Sequence, residues 1–283
     1  MLRILDARTG EPVTAAPARR GLTRVAVHAC GLGPTTLRVL LTADLLVRAL
    51  ELDGTPVWTA LVAPGRHAEL RTAATALGIR PFEDDHDPAS GPGAAQVVHV
   101  VAADAADAAD VPGGGPVVAV APAAGAPEGA RGDWGPGGAP EEGELPAARA
   151  ASAPGAGPGN PPDTPLTALL ADPSALRLAL LSVPRGAPVR VDGARLDGAA
   201  ADLGHWRLAV AGWARRPSRP VPDRVRARLR AAWEDDLDLP GVLDVLRDVA
   251  QDPELPDGAR FETYAYADRL LALDLARDLG GPA

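Results

Sequence analysis

Between Val25 and Leu52 a short β-branched run, a glycine-bearing turn and a long apolar stretch follow one another, and this succession constrains the fold more than any other part of the chain. Val25-Ala26-Val27 reads as a buried strand, Cys30-Gly31-Leu32-Gly33-Pro34-Thr35-Thr36 as a turn, and Leu37–Leu52 as a helix ended by Asp53-Gly54. A second apolar strand, Pro56–Val62, comes next. Strand, helix and strand in this order imply a right-handed crossover and a parallel sheet. In such folds the loop between strand and helix gathers backbone N–H groups at a helix N-terminus, which suits an anionic group such as a nucleotide phosphate. The turn is therefore the first place to look for chemistry, yet it carries no lysine and no histidine.

That absence extends to the whole chain. Its basic residues number 28 and all are arginine, because the sequence contains no lysine. Schiff-base chemistry, a lysine general base and a phosphate-binding lysine of the Walker type are closed. Cys30 is the only cysteine, which excludes an internal disulfide and any metal set needing two thiolates. The net charge of −9 disfavours general polyanion binding, although a local basic face remains open to the chain. No apolar run approaches the ~20 residues of a spanning helix, and Met1-Leu2-Arg3-Ile4-Leu5-Asp6 lacks a signal-peptide layout. A cytoplasmic protein that does not enter the membrane is the expectation.

Around the central unit, Leu2–Asp6 predicts a strand followed by a turn at Thr9–Pro12 and a polar connector, Thr14–Gly21. Ala68–Leu77 predicts a short helix capped by Gly78, and Gln96–Val101 and Pro116–Val120 two further strands. Glu83-Asp84-Asp85-His86-Asp87 reads as a solvated loop, since adjacent side chains splay and do not converge on one ion. Asp104, Asp107 and Asp110 fall on one face of a predicted helix. Residues 121 to 163 are dominated by Ala, Gly and Pro and read as a disordered linker. Beyond it, Asp172-Pro173-Ser174 caps a buried helix through Leu181, and Leu196–Ala214, Asp223–Trp233, Gly241–Ala250 and Phe261–Leu279 predict further helices, with Asp257-Gly258 as a turn. The expected architecture is α/β: a parallel-sheet domain over 1–120, the linker over 121–163, and an antiparallel helical bundle over 164–283.

Several strings, in a shared order covering about two-thirds of the chain, resemble cysteinyl-tRNA synthetase and the related mycothiol cysteine ligase. They are the opening strand Leu2–Thr9, His28-Ala29-Cys30-Gly31, the helix Arg38–Leu52 with Asp44 and Arg48, Ala76–Pro81, Asp172–Ser182 and Trp233–Pro240. The resemblance implies a Rossmann-like, class I synthetase-like domain before the bundle, ATP as co-substrate, and activation of cysteine for transfer to tRNA or to a glucosaminyl-inositol amine. It places Gly33, Thr35, Thr36 and Arg38 at the nucleotide and Cys30 at a zinc ligand's position.

The departures fall on the chemistry. The family's His-Ile-Gly-His signature corresponds to Gly33-Pro34-Thr35-Thr36, with neither histidine. Its lysine-rich second signature corresponds to the region of Ala153–Gly157, without lysine, and the other zinc ligands are missing, so zinc is not expected. One preorganised donor of this kind is worth roughly 3–4 kcal/mol in adenylation. A non-catalytic paralogue is therefore the leading expectation. One alternative is an active ATP-dependent ligase using arginine (Arg38, Arg66, Arg80) in place of lysine. Another is a tRNA- or protein-binding module using Arg215, Arg216, Arg219, Arg224, Arg226, Arg228 and Arg230.

Overall fold

The computed structural model describes residues 1–18, 21–29, 31–62, 67–84, 94–103, 111, 114–125 and 166–280. The chain opens with an antiparallel hairpin of β1 (Arg3–Leu5) and β2 (Pro12–Thr14), turned through Gly10 at a φ of 72°. The second strand of this hairpin lies where the sequence reads as turn and connector. Then come β3 (Leu22–His28), α1 (Pro34–Leu52), β4 (Val57–Val62), α2 (His67–Ala76), β5 (Glu83–Asp84), β6 (Ala94–Ala102) and β7 (Val117–Val120). These strands form one five-stranded, wholly parallel sheet in the order β5-β4-β3-β6-β7. The α/β class and the parallel sheet expected from the Val25–Val62 unit are thus present.

Alternation along the central strands decides which side faces α1. Val25 and Val27 pair in register with Val98 and Val100, all four are buried, and α1 packs across β3 and β6. Pro34 opens α1 at its first turn and Gly54, at a φ of 79°, ends it. Glu83 and Asp84, read from sequence as solvated loop, instead form the edge strand β5 beside Ala60 and Leu61. Only two residues are needed there, and the carboxylates suit an edge. Asp85, His86 and Asp87, and the aspartates 104, 107 and 110, lie outside the described residues.

The tract read as linker yields a second difference. Ala123–Gly125 forms β8, which pairs in parallel with β9 (Val189–Val191), so part of this composition-biased segment is ordered by pairing with a distant strand. Residues 126–163 lie outside the described residues. The remaining elements are α3 (Leu166–Leu169), α4 (Pro173–Leu181), α5 (Gly193–Trp213), α6 (Asp223–Glu234), α7 (Leu239–Gln251) and α8 (Asp257–Leu271). The Asp172 carboxylate caps α4 by accepting from Ala175 N, as its sequence position predicts, and Asp238 caps α7 by accepting from Gly241 N. Helix α4 packs on α5, α6 on α7, and α8 on α1, α5 and α7. Asp257, expected in a turn, is the first residue of α8, and that helix stops at Leu271 rather than Leu279. The Asp268 carboxylate accepts from Leu273 N and Leu275 N, and Ala272 takes the left-handed conformation, so the chain turns back on the helix end. One hydrophobic cluster runs from Leu2 through α1 to Leu275. Among the described residues no helix is long and apolar enough to cross a membrane, and a single cysteine leaves no internal disulfide.

A buried ion pair joins the two halves of the chain. Asp44 of α1, with its side chain 0% exposed, accepts from Arg177 Nη2 of α4 at 2.9 Å and from Arg48 Nε at 2.8 Å. Its other oxygen takes the Arg80 N–H at 3.2 Å. Arg177 spends its remaining donors on the Leu77 and Leu271 carbonyls, at 2.8 and 2.6 Å. Burial lowers the Arg177 pKa and Asp44 opposes that shift. Removing one partner strands a charge in the core. Asp44→Ala should therefore cost about 3–5 kcal/mol of stability by chemical denaturation, against well under about 1 kcal/mol for removing the exposed Asp248 that pairs with Arg228.

Candidate functional site

In an open parallel sheet the ligand crevice lies at the carboxyl ends of the strands where the connections diverge. Here that point is between β3 and β6: β3 leads through α1 to β4 on one side, and β6 leads to β7 on the other. At the strand ends stand His28, the last residue of β3, and the first turn of α1; His99 lies earlier in β6, opposite Ala26, and shares with His28 the sheet face turned away from α1.

The turn leaves β3 with Ala29 N donating to Val62 O at 3.1 Å. Gly31 has a φ of 75°, a conformation that suits glycine, and Gly33 serves as an extended N-cap with open space where a side chain would stand. Cys30 lies outside the described residues. Pro34 has no N–H to offer. The Thr35 hydroxyl is bound in both directions to Ala123 of β8, donating to its carbonyl at 3.1 Å and accepting from its N–H at 3.0 Å. Thr36 is buried on the same turn.

Arg38 lies one turn further along α1 and is 2% exposed. Its Nη1 donates to the carbonyls of Ala121 at 2.9 Å and Ala187 at 2.7 Å, and its Nη2 to those of Pro184 at 2.7 Å and Val183 at 3.3 Å. Burial lowers its pKa to about 10, so it stays charged at neutral pH. The guanidinium ties the segment before β8 to the segment before β9. Of the other arginines offered as substitutes for lysine, Arg80 pairs with Glu51 on the opposite side of α1, and Arg66 lies outside the described residues.

Reading the residues alone assigns no role to the two histidines that the sheet brings together. His28 Nε2 and His99 Nδ1 are 3.0 Å apart, with ring centroids at 5.3 Å. One nitrogen donates and the other accepts, so the contact requires at least one neutral ring. His99 is 5% exposed, and its buried Nε2 has no hydrogen-bonding partner among the described residues. Its pKa is pushed down to about 4, chiefly by burial, then by His28, Arg8 and Arg24, with the Gly114 backbone opposing. A signal was present in the sequence: a histidine within Val97-Val98-His99-Val100-Val101 is a polar group in a strand destined for burial on both faces. Among the described residues no group of three or more His, Cys, Asp or Glu side chains could hold a metal ion. The strand end thus presents glycine backbone to the start of α1, while the imidazole pair lies on the other face of the sheet.

No protein-family model matches the chain, and no curated protein sequence matches it.

The histidine pair has a pH signature. His99 titrates near 4 when folded and near 6.5 when unfolded, so between those values the unfolded chain binds the extra proton. Its contribution to stability is full above ~6.5 and is lost as pH falls towards ~4. Going from about pH 7.5 to about pH 5, this group should cost about 2 kcal/mol. Denaturation curves of the protein and of His99→Leu at both pH values should differ by that amount in their pH-dependent loss.

Proposed function

We propose that the chain is a non-catalytic paralogue of the cysteine-activating ligases, retained for binding or assembly. Its first half is read as a class I synthetase-like, Rossmann-like domain and its second half as the antiparallel helical bundle, in a cytoplasmic protein. The kinship is supported by where the resembling strings meet. Asp44 and Arg48, the Ala76–Pro81 exit and the Arg177 helix come together in one buried network. The opening strand meets the acidic Trp233–Pro240 string: Asp236 accepts from Leu5 N at 2.8 Å and donates its own N–H to Arg3 O at 2.9 Å. Residues that resemble the family only as scattered strings thus make contacts with one another.

The observation that carries the loss of chemistry is the use made of the first turn of α1. Thr35 and Arg38, the polar side chains best placed for a nucleotide, are bound by the backbone around β8 and β9. With no lysine in the chain and no histidine in this turn, no described residue replaces the cationic clamp that stabilises charge on a reacting triphosphate. The reading with arginine in place of lysine loses Arg38 to carbonyls and Arg80 to Glu51. The reading as a tRNA-binding module loses much of its basic stretch, because Arg224, Arg226, Arg228 and Arg230 face carboxylates.

Cysteine-dependent pyrophosphate exchange tests the proposal. Exchange should fall at least about 10⁴-fold below that of a working synthetase. Calorimetric titration with a non-hydrolysable cysteinyl-adenylate mimic shows separately whether the crevice still binds. Exchange near that of a working synthetase overturns the proposal.

A further inference from the structure

The structure splits the basic stretch 215–230 in two. On α6, Arg224 pairs with Asp252, Arg228 with Asp248, and Arg230 with Asp53 and Glu234. In the connection between α5 and α6 the neutralisation thins. Arg219 is exposed and makes no ion pair with any described residue, and Arg216 is exposed and pairs at 3.8 Å with Asp257, a carboxylate that Arg260 holds more closely at 2.9 Å. These two arginines stand on the wall of a groove of about 470 Å³, which Arg260 lines from the first turn of α8.

The groove is built by close packing. The backbone of Pro217 and Arg219 crosses the first turn of α8 so tightly at Gly258 that a methyl group there would collide with the Pro217 carbonyl. The Ser218 hydroxyl donates to Glu262 at 2.6 Å and holds the same crossing. Arg260 is fixed by bonds to Asp257 Oδ1 at 2.9 Å and Asp252 O at 2.7 Å, and lies over the Trp213 ring. Its buried Nε–H has no partner among the described residues. Pro217, Pro253, Leu255 and Pro256 supply rigid apolar walls. Three arginines face one aspartate in the lining, an excess of positive charge in a chain whose net charge is −9.

We propose that this groove binds a phosphate monoester, with the phosphate on Arg216 and Arg219 and an apolar or ring-bearing remainder against the proline wall. Guanidinium forks match phosphate oxygens, and the volume lies within the usual range for small-molecule sites. An RNA backbone fits less well. Successive phosphates need successive unneutralised cations, and the surface beyond the groove is lined by the ion pairs of α6. The proposal is independent of the reading of the β3–β6 crevice, whose pyrophosphate-exchange test neither supports nor opposes it.

The test is calorimetric titration of the full chain with phenyl phosphate, and separately with inorganic phosphate and a single-stranded RNA oligonucleotide. Saturable binding of phenyl phosphate is expected, tighter than that of inorganic phosphate, with at least about a tenfold loss in the Arg216→Ala/Arg219→Ala double variant. Both side chains are exposed, so that variant should fold. The Arg224→Ala/Arg228→Ala variant removes the same charge from the paired surface and should bind unchanged. Absence of saturable binding, equal binding by the two double variants, or binding of the RNA alone overturns the proposal.

Discussion

Arg177 and Asp44 meet where the sheet-bearing half of the chain touches the helices that follow, and most of the long-range order can be traced from that contact. Neither charge reaches solvent, so each must be matched by the other and by the carbonyls and N–H groups around them. Those partners come from α1, the end of α2, the residues before β5, α4 and the end of α8. The requirement fixes how the elements approach one another more tightly than apolar packing alone would, because leucines tolerate small slips and a buried guanidinium does not.

The same logic governs the start of α1. A helix N-terminus normally leaves donors for water or a ligand. Here an imino acid takes one position, and the next hydroxyl is engaged by both the N–H and the carbonyl of Ala123. Arg38, buried with no carboxylate among its hydrogen-bond partners, is satisfied by carbonyl dipoles from two separate segments. Side chains that would serve a phosphate in a nucleotide-binding protein are equally good at organising backbone. In this chain they organise backbone.

How much of this could be read from the residues divides along physical lines. The parallel sheet was legible in Val25–Leu52 and the strand after it, because periodicity, Gly54 and the apolar run agree with one another. The cap at Asp172 was legible because capping is local. What escaped was non-local. Ala123–Gly125 has no strand character of its own and is ordered by β9, far along the chain. Glu83 and Asp84 become a strand because β4 offers an open edge. The end of α8 depends on Asp268 reaching forward to two N–H groups, a contact that leaves no pattern in composition. In the crevice the backbone turn was foreseeable from its glycines, whereas the His28–His99 contact needed the register between β3 and β6.

The short pairing of β8 with β9 has a topological meaning. The chain departs at Gly125 and its return is registered opposite the point of departure, with Gly125 facing Val191 and Ala123 facing Val189. Both banks of this excursion are anchored to α1, by Thr35 on one side and by Arg38 on both. The excursion between them carries α4 and its Arg177, so the paired strands and the buried ion pair fasten one stretch of chain to α1 at two separate points, like a clasp with two hooks.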